Sequence, residues 1–121
     1  MKDGEAILAG QLAIWPTRDD LAAVLQNGGL SVRIGAYSLR LEDCQHFVIQ
    51  GYGGDLESPL IDATAATVSD LHRDAQRVSN ALSAAQIKHR FEIYGPDEVL
   101  ERYLHFQWPS DVQLGVRVDG K

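Results

Sequence analysis

The longest regular pattern of apolar residues in the chain runs from position 61 to position 85. Its members recur at spacings of three and four residues, the period of one helix face: Ile61, Ala65, Val68, Leu71, Ala75, Val78, Leu82 and Ala85. We favour one long helix over Pro59–Ile87, with Ser58 as its N-cap, because the apolar phase is unbroken from Ile61 onward. A second interpretation begins the helix at Ser69 and leaves 59–68 extended, because the threonines and valine before it are weak helix formers.

Other segments have the alternation or the apolar content of β-strands. They are Glu5–Trp15, Leu30–Glu42, His46–Gln50, His89–Tyr94 and Val99–Trp108. The first is apolar on both faces, so we expect it to be central in a sheet, while the second changes phase near Gly35–Tyr37, which predicts a bulge or bend. A short helix is expected after Pro16, with Thr17 as its N-cap and Gly28-Gly29 at its end. Residues 112–118 also alternate and are a candidate for a further strand.

The segment 98–108 allows two interpretations. As a strand it places Leu100, Leu104, Phe106 and Trp108 on one face. As a helix it would be capped by Asp97, with Glu98 and Arg102 one turn apart. We favour the strand because of the run Tyr103–Trp108. The chain is thus predicted to be a single α+β domain over 1–121: a two-layer sandwich of a mostly antiparallel sheet of about 5–6 strands with two helices, one short and one long, on one face.

Composition narrows the classes of function. Apolar residues are 45% of the chain and charged residues 23%, as in ordinary globular domains, and no apolar run has the length of a membrane helix. The net charge is −6 and the basic residues are scattered, which argues against nucleic acid and anionic membranes but suits a basic protein partner. With Cys44 as its single cysteine, the chain cannot form an internal disulfide, so we expect a cytoplasmic protein.

No residue pattern assigns a reaction, so we expect no catalytic residue, metal or cofactor and lean towards a protein that is not an enzyme. The four histidines lack the close spacing of metal motifs. Cys44 with His46 is a conceivable nucleophile pair, but its acidic neighbours would weaken the thiol as a nucleophile. The glycines of 51–54 lack the lysine of a phosphate-binding loop, and the paired carboxylates lie in turns and helix starts.

The surface that we single out is the sheet face opposite the helices. On the last two long strands it would present a set of aromatic and charged side chains able to orient a protein partner: Arg90, Glu92, Tyr94, Glu101, Tyr103 and His105, with Gln107 beyond them. In size, acidity and helix-on-sheet layout the chain is similar to small bacterial immunity proteins, which neutralise a toxin by covering it. This likeness is one of overall character and implies a binding role without assigning a residue.

The sequence therefore predicts a small binding module, immunity-like or regulatory, that contacts a protein partner through this face. Self-association through the same face or through an open strand edge is also possible. The alternative is a small enzyme or metabolite-binding domain, with a pocket between sheet and helices at the loop 51–59.

Overall fold

The computed structural model describes residues 5–51 and 59–107. Seven strands and two helices follow one another in this part of the chain, in the order β1 Ala6–Leu12, α1 Arg18–Asn27, β2 Val32–Ile34, β3 Ser38–Leu41, β4 His46–Gln50, β5 Leu60–Ala65, α2 Val68–Ala84, β6 His89–Tyr94 and β7 Leu100–Phe106. The strands form one antiparallel sheet with the order β2-β3-β4-β5-β1-β6-β7.

The predicted fold class is confirmed: this is an α+β domain with one antiparallel sheet and two helices, of ten and seventeen residues. The first strand is central, between β5 and β6, as its two apolar faces predicted. The sheet has seven strands instead of five or six. One additional strand, β5, lies in the segment that was predicted to begin the long helix. The other arises because the segment predicted as one bent strand forms both β2 and β3.

The prediction of a helix over Pro59–Ile87 is wrong in its first third. Residues 60–65 form β5, which pairs with β4 and β1, and the helix begins at Val68. Thr67 is its N-cap and accepts a hydrogen bond from the backbone N–H of Asp70 at 3.0 Å. The second interpretation, with 59–68 extended, was therefore nearly right. The apolar phase was misleading because Ile61 and Ala65 are four residues apart, which puts them on one side of a helix and of a strand alike.

The predicted N-terminus of the long helix is also wrong, because Pro59 is followed by strand β5 and not by a helix. Ser58, the residue proposed as the cap, lies outside the described residues. In α2 the predicted apolar stripe is largely correct: its members at positions 71, 75, 78 and 82 are all buried and Val68 is half-buried, but Ala85 lies past the end of the helix and is exposed. The helical part of the stripe therefore does cover the sheet.

The phase change in Leu30–Glu42 marks a hairpin rather than a bulge within one strand. β2 and β3 pair antiparallel, with Val32 opposite Leu41 and Ile34 opposite Leu39. The backbone N–H of Gly35 donates to the carbonyl of Ser38 at 2.8 Å and closes the turn. Apolar positions change phase at a chain reversal because both strands must present their apolar residues to the same layer.

The remaining elements follow their predictions closely. His46–Gln50 and His89–Tyr94 are strands with the predicted bounds, and Leu100–Phe106 is a strand, so the helix interpretation of 98–108 is wrong. The Thr17 hydroxyl accepts from the backbone N–H of Asp20 at 3.1 Å, which confirms the predicted cap of α1. Trp108 and the candidate strand at 112–118 lie outside the described residues.

The core lies between the inner face of the sheet and the two helices. Phe47 and Phe91 meet edge to face at a centroid distance of 5.9 Å, and both are fully buried. A side chain at Gly10 would crowd this packing, because an added Cβ would lie 2.9 Å from Cδ1 of Phe91 and 3.0 Å from Cδ1 of Ile61. The inner face is thereby closed, and neither helix covers the opposite face of the sheet, which we call the outer face.

Candidate partner-binding face

The six residues singled out in the sequence lie on two neighbouring strands, β6 and β7. On β6, Arg90, Glu92 and Tyr94 are half-buried and alternate with core residues. Across the ladder, Arg90 pairs with His105 and Glu92 pairs with Tyr103. Cross-strand partners share a sheet face, so these four side chains are neighbours on the outer face.

A bulge changes the start of β7. Ile93 pairs with Arg102, but Tyr94 pairs with Leu100, so Glu101 is the additional residue. Leu100 was predicted to share a face with Leu104, on the helix side. Its pairing with Tyr94 instead places it with the outer face, where it is 49% exposed. The inserted residue is the physical reason, because one extra position reverses the alternation.

An apolar centre completes this face. Ile7 on β1 pairs with Tyr94 on β6, and Tyr94 pairs with Leu100 on β7. The three side chains therefore form a continuous row across three adjacent strands. Ile7 is 50% exposed and Tyr103 is 44% exposed. We call Ile7, Tyr94, Leu100 and Tyr103 the outer patch. Sequence reasoning missed Ile7 and Leu100, although the apolar residues on both faces of the first strand were a signal for Ile7.

Polar contacts hold the side chains around the outer patch. The Tyr94 hydroxyl donates to Oε1 of Glu92 at 3.0 Å, and this hydrogen bond raises the pKa of Tyr94 because it favours the protonated phenol. The rings of Tyr103 and His105 are 5.2 Å apart. The Arg90 guanidinium donates to Oε1 of Gln11 at 3.2 Å. These contacts fix the positions of side chains around the outer patch, and the Glu92 carboxylate lies beside it.

The histidine that sequence analysis left without a role, His89, lies in the core. Its Nδ1 is 2.8 Å from the carbonyl of Ile87 and its Nε2 is 2.7 Å from the hydroxyl of Ser79. A neutral ring satisfies both contacts: its Nδ1–H donates to the carbonyl of Ile87, and its Nε2 accepts from the hydroxyl of Ser79. Burial lowers the pKa of His89. A serine beside a histidine suggests a nucleophile and its base, but His89 is fully buried, so a substrate has no access.

The surroundings of the cysteine disfavour a nucleophilic thiol. Desolvation, followed by the Asp74 carboxylate, raises the pKa of Cys44 to about 12, so the thiol stays protonated at neutral pH. His46, its conceivable partner, instead has Nε2 3.3 Å from Oδ2 of Asp62 on the neighbouring strand. The structure therefore gives no support to a Cys44–His46 pair.

Two shallow pockets are found in the described part of the chain. One, of about 300 Å³, is apolar and is lined by Ala13, Ile14, Pro16, Gln86, Ile87 and Lys88. The other, of about 230 Å³, lies between the two helices and is lined by Val24, Asn27, Gly28, Ala81, Ala84 and Ala85. Neither brings two ionisable groups together, and within residues 5–51 and 59–107 no three histidine, cysteine or carboxylate side chains are grouped to hold a metal. The pocket expected at the loop 51–59 involves residues 52–58, which are outside the described ranges.

Comparison of the chain with protein-family models, curated proteins and solved structures finds no match. Among the described residues, neither helix combines the length and the apolar content needed to cross a bilayer.

Proposed function

We propose that this protein is a non-catalytic binding module that contacts a protein partner through the outer face of β1, β6 and β7. The observation that carries the proposal is the outer patch: three of its four side chains are at least 44% exposed on adjacent strands. Tyrosines and large aliphatic side chains are the usual energetic centres of protein interfaces, where they lose water and pack against the partner.

The carboxylates beside the patch indicate the chemistry of the partner. Glu92 pairs with Tyr103 across the ladder, and Glu101 lies on the bulge next to Leu100. The whole chain carries a net charge of −6. A partner with a basic surface would be steered towards this face by long-range attraction, and binding would weaken as salt screens the charges. A protein that covers a basic target, as an immunity protein does, is one role that this chemistry fits.

The rigid setting of the patch is consistent with binding. Its residues lie on paired strands, and the buried side chains between them, Phe91 and Ile93, fix β6 against the core. A preformed surface avoids the entropy loss of ordering a loop on association. The single cysteine, with its protonated thiol, suits a reducing compartment such as the cytoplasm.

Ile7 offers the sharpest test, because it belongs to the outer patch and is 50% exposed on a central strand. We expect the wild-type chain to capture a basic partner from host lysate at low salt, and Ile7→Ser to lose it. Ile34→Ser is the matched control, because Ile34 is 47% exposed and lies on β2, at the other end of the strand order from β7. The captured protein is then titrated against purified variants by calorimetry, including the double variant Tyr103→Ala/His105→Ala.

The proposal requires the Ile7→Ser and double variants to bind the purified partner at least about tenfold more weakly than Ile34→Ser does. Equal binding by all variants would contradict it, as would capture of no protein at all. Thermal stabilisation by a member of a metabolite panel would favour the alternative of a ligand-binding domain.

A further inference from the structure

We propose that the apolar pocket at the end of β1 and β6 binds a small carboxylate with an apolar body, of the kind of a short fatty acid. The pocket has a volume of about 300 Å³ and lies beyond Leu12 and His89, the last pair of the β1–β6 ladder. The backbone N–H of Ala13 donates to the carbonyl of Lys88 at 3.0 Å and joins the two sides of the pocket. This volume is at the lower end for small-molecule sites, so the ligand must be small.

The lining of the pocket favours an apolar ligand body. Ile14 is 80% exposed, more than any other large apolar side chain in the described part of the chain. Pro16 and Ile87, which packs against the core, continue the apolar surface beside it. A ligand that covers these three side chains removes apolar area from water, and this is the main favourable contribution to binding at such a site.

Two polar residues of the lining can recognise a carboxylate. Gln86 and Lys88 are both exposed, one on either side of Ile87 in the chain. Within the described residues, no carboxylate forms an ion pair with Lys88. An ammonium group and a side-chain amide are both hydrogen-bond donors. Lys88 is also the one charged residue of the described lining, so the charge of the pocket is complementary to an anion.

The backbone of Gln86 is an independent observation that favours a ligand. Its φ is 64°, in the left-handed region, at the position that follows the C-cap of α2. The backbone N–H of Ile87 donates to the carbonyl of Leu82 at 2.9 Å, and that of Gln86 donates to the carbonyl of Ser83 at 3.0 Å. This is the pattern of a helix end at which glycine is usual. Glycine adopts the conformation without steric cost, so glutamine lowers stability here, as is common where a side chain has a function.

This pocket is separate from the outer patch. Ile7 and Tyr94 pair at one end of β1 and β6, and the pocket lies past the other end, where Leu12 pairs with His89. The inference therefore does not rest on the proposed function. A carboxylate bound here would be a second ligand and would not replace the protein partner.

The experiment is a titration of the full-length chain with octanoate, followed by NMR of the backbone amides. We expect the largest chemical-shift changes at residues 13–15 and 86–88, which form the pocket. Octanoate should bind about fivefold or more tightly than octanol and octylammonium, because these probes have the same apolar body without the carboxylate.

Variants of the lining test the two parts of the ligand separately. Ile14→Ser should weaken octanoate binding about tenfold, because it removes apolar contact area, and Ile34→Ser on β2 should leave binding unchanged. Lys88→Gln should abolish the preference for octanoate over octanol. Arg40→Gln is the matched control, because it removes one positive charge from an exposed position on β3, and it should keep the preference.

Gln86→Gly separates a role in binding from a role in the fold. Glycine should raise the urea concentration at the midpoint of unfolding, because it relieves the left-handed backbone, and should weaken octanoate binding about threefold or more. The proposal is overturned if octanoate does not bind, if it shifts amides elsewhere, or if Gln86→Gly and Lys88→Gln bind it as tightly as the wild type. Ile7→Ser should bind octanoate normally and Ile14→Ser should still capture the protein partner, so the two proposals can fail separately.

Discussion

Among the described residues, the two edge strands of the sheet, β2 and β7, are built differently. β2 has three residues, and the turn that follows it is held by Arg18 of α1, whose Nη1 donates to the carbonyls of Gly35 and Ala36 at 2.9 and 2.6 Å. On the strand itself, Nε of Arg33 contacts Oε2 of Glu42 at 3.1 Å. β7 has seven residues and carries exposed Tyr103 and Leu100. The first edge is short, and its turn carbonyls and Arg33 have partners, whereas the second is long and carries exposed apolar, aromatic and charged side chains.

The helices do not account for this difference. α1 contacts β2 and β3, and α2 contacts β5, β1, β6 and β7. Each edge strand is therefore supported from the inner face by a different helix, and what distinguishes the edges is their outward side. Short, charged edges discourage pairing with other chains, and long edges permit it. The contrast supports our proposal that a partner binds at the β6–β7 side.

The largest expected effect comes from removing the support under that side. Leu82 of α2 is 2% exposed, and Leu82→Ala should lower the free energy of unfolding by about 2–5 kcal/mol through lost burial and a residual cavity. Urea denaturation followed by circular dichroism measures this change. Asn80→Ala, on the exposed side of the same helix, should stay within about 0.5 kcal/mol of wild type. Equal losses in the two variants would mean that the helix is rotated from the position described here.

A smaller effect is expected at the β2 edge. Arg18→Ala removes a charged donor from two turn carbonyls, and we expect a loss of about 1–2 kcal/mol, because the side chain is partly exposed. Hydrogen exchange should accelerate in β2 and β3 more than in β6 and β7. Arg73→Ala is the matched control, because Arg73 contacts Asp70 at the surface, and such pairs contribute about 0–1 kcal/mol. Uniform acceleration across the sheet would contradict a local role for Arg18.

A dependence of stability on pH is expected at the other edge, and near neutral pH it is the smallest of the three effects. Burial lowers the pKa of His89, whose ring stacks on Phe106 of β7 at 6.1 Å. The unfolded chain therefore binds this proton more readily than the folded chain. Protonation of His89 should make no contribution to the pH dependence of stability well above about pH 6.5. Below that value it should lower the free energy of unfolding by at most about 1.4 kcal/mol per pH unit.

Urea denaturation between pH 8 and pH 5 measures this dependence. His89→Gln, which can still hydrogen-bond to Ser79, should flatten the slope below pH 6.5, and His72→Gln, at a half-buried position on α2, should not. If His89→Gln keeps the wild-type slope, another group must be responsible for it.

The strands at the β6–β7 side were predictable because their alternation is local. His89–Tyr94 alternates without interruption, so both its bounds and its faces followed from the sequence. The placement of Leu100 did not follow, because the bulge depends on how β7 fits against β6. The outer patch could be predicted only in part for the same reason: Ile7 joins it through pairing between strands that are far apart in sequence.

The misassigned segment at 60–65 has a related cause. An apolar spacing of four fits both a helix and a strand, and the weak helix formers near Thr67 were the sequence signal for the correct boundary. The gap between β4 and β1 decided the outcome, because residues 60–65 can complete backbone hydrogen bonds on both sides there. Likewise, Gly35–Tyr37 became a turn because the two halves of that segment pair with each other.

By itself the sequence determined the α+β class, the central first strand, the cap of α1 and the buried stripe of α2, since each depends on residues within a few positions of one another. Tertiary structure alone decided the strand order, the position of β5 and the residues that meet on the outer face. These depend on hydrogen bonds and contacts between distant segments, whose partners no local pattern specifies.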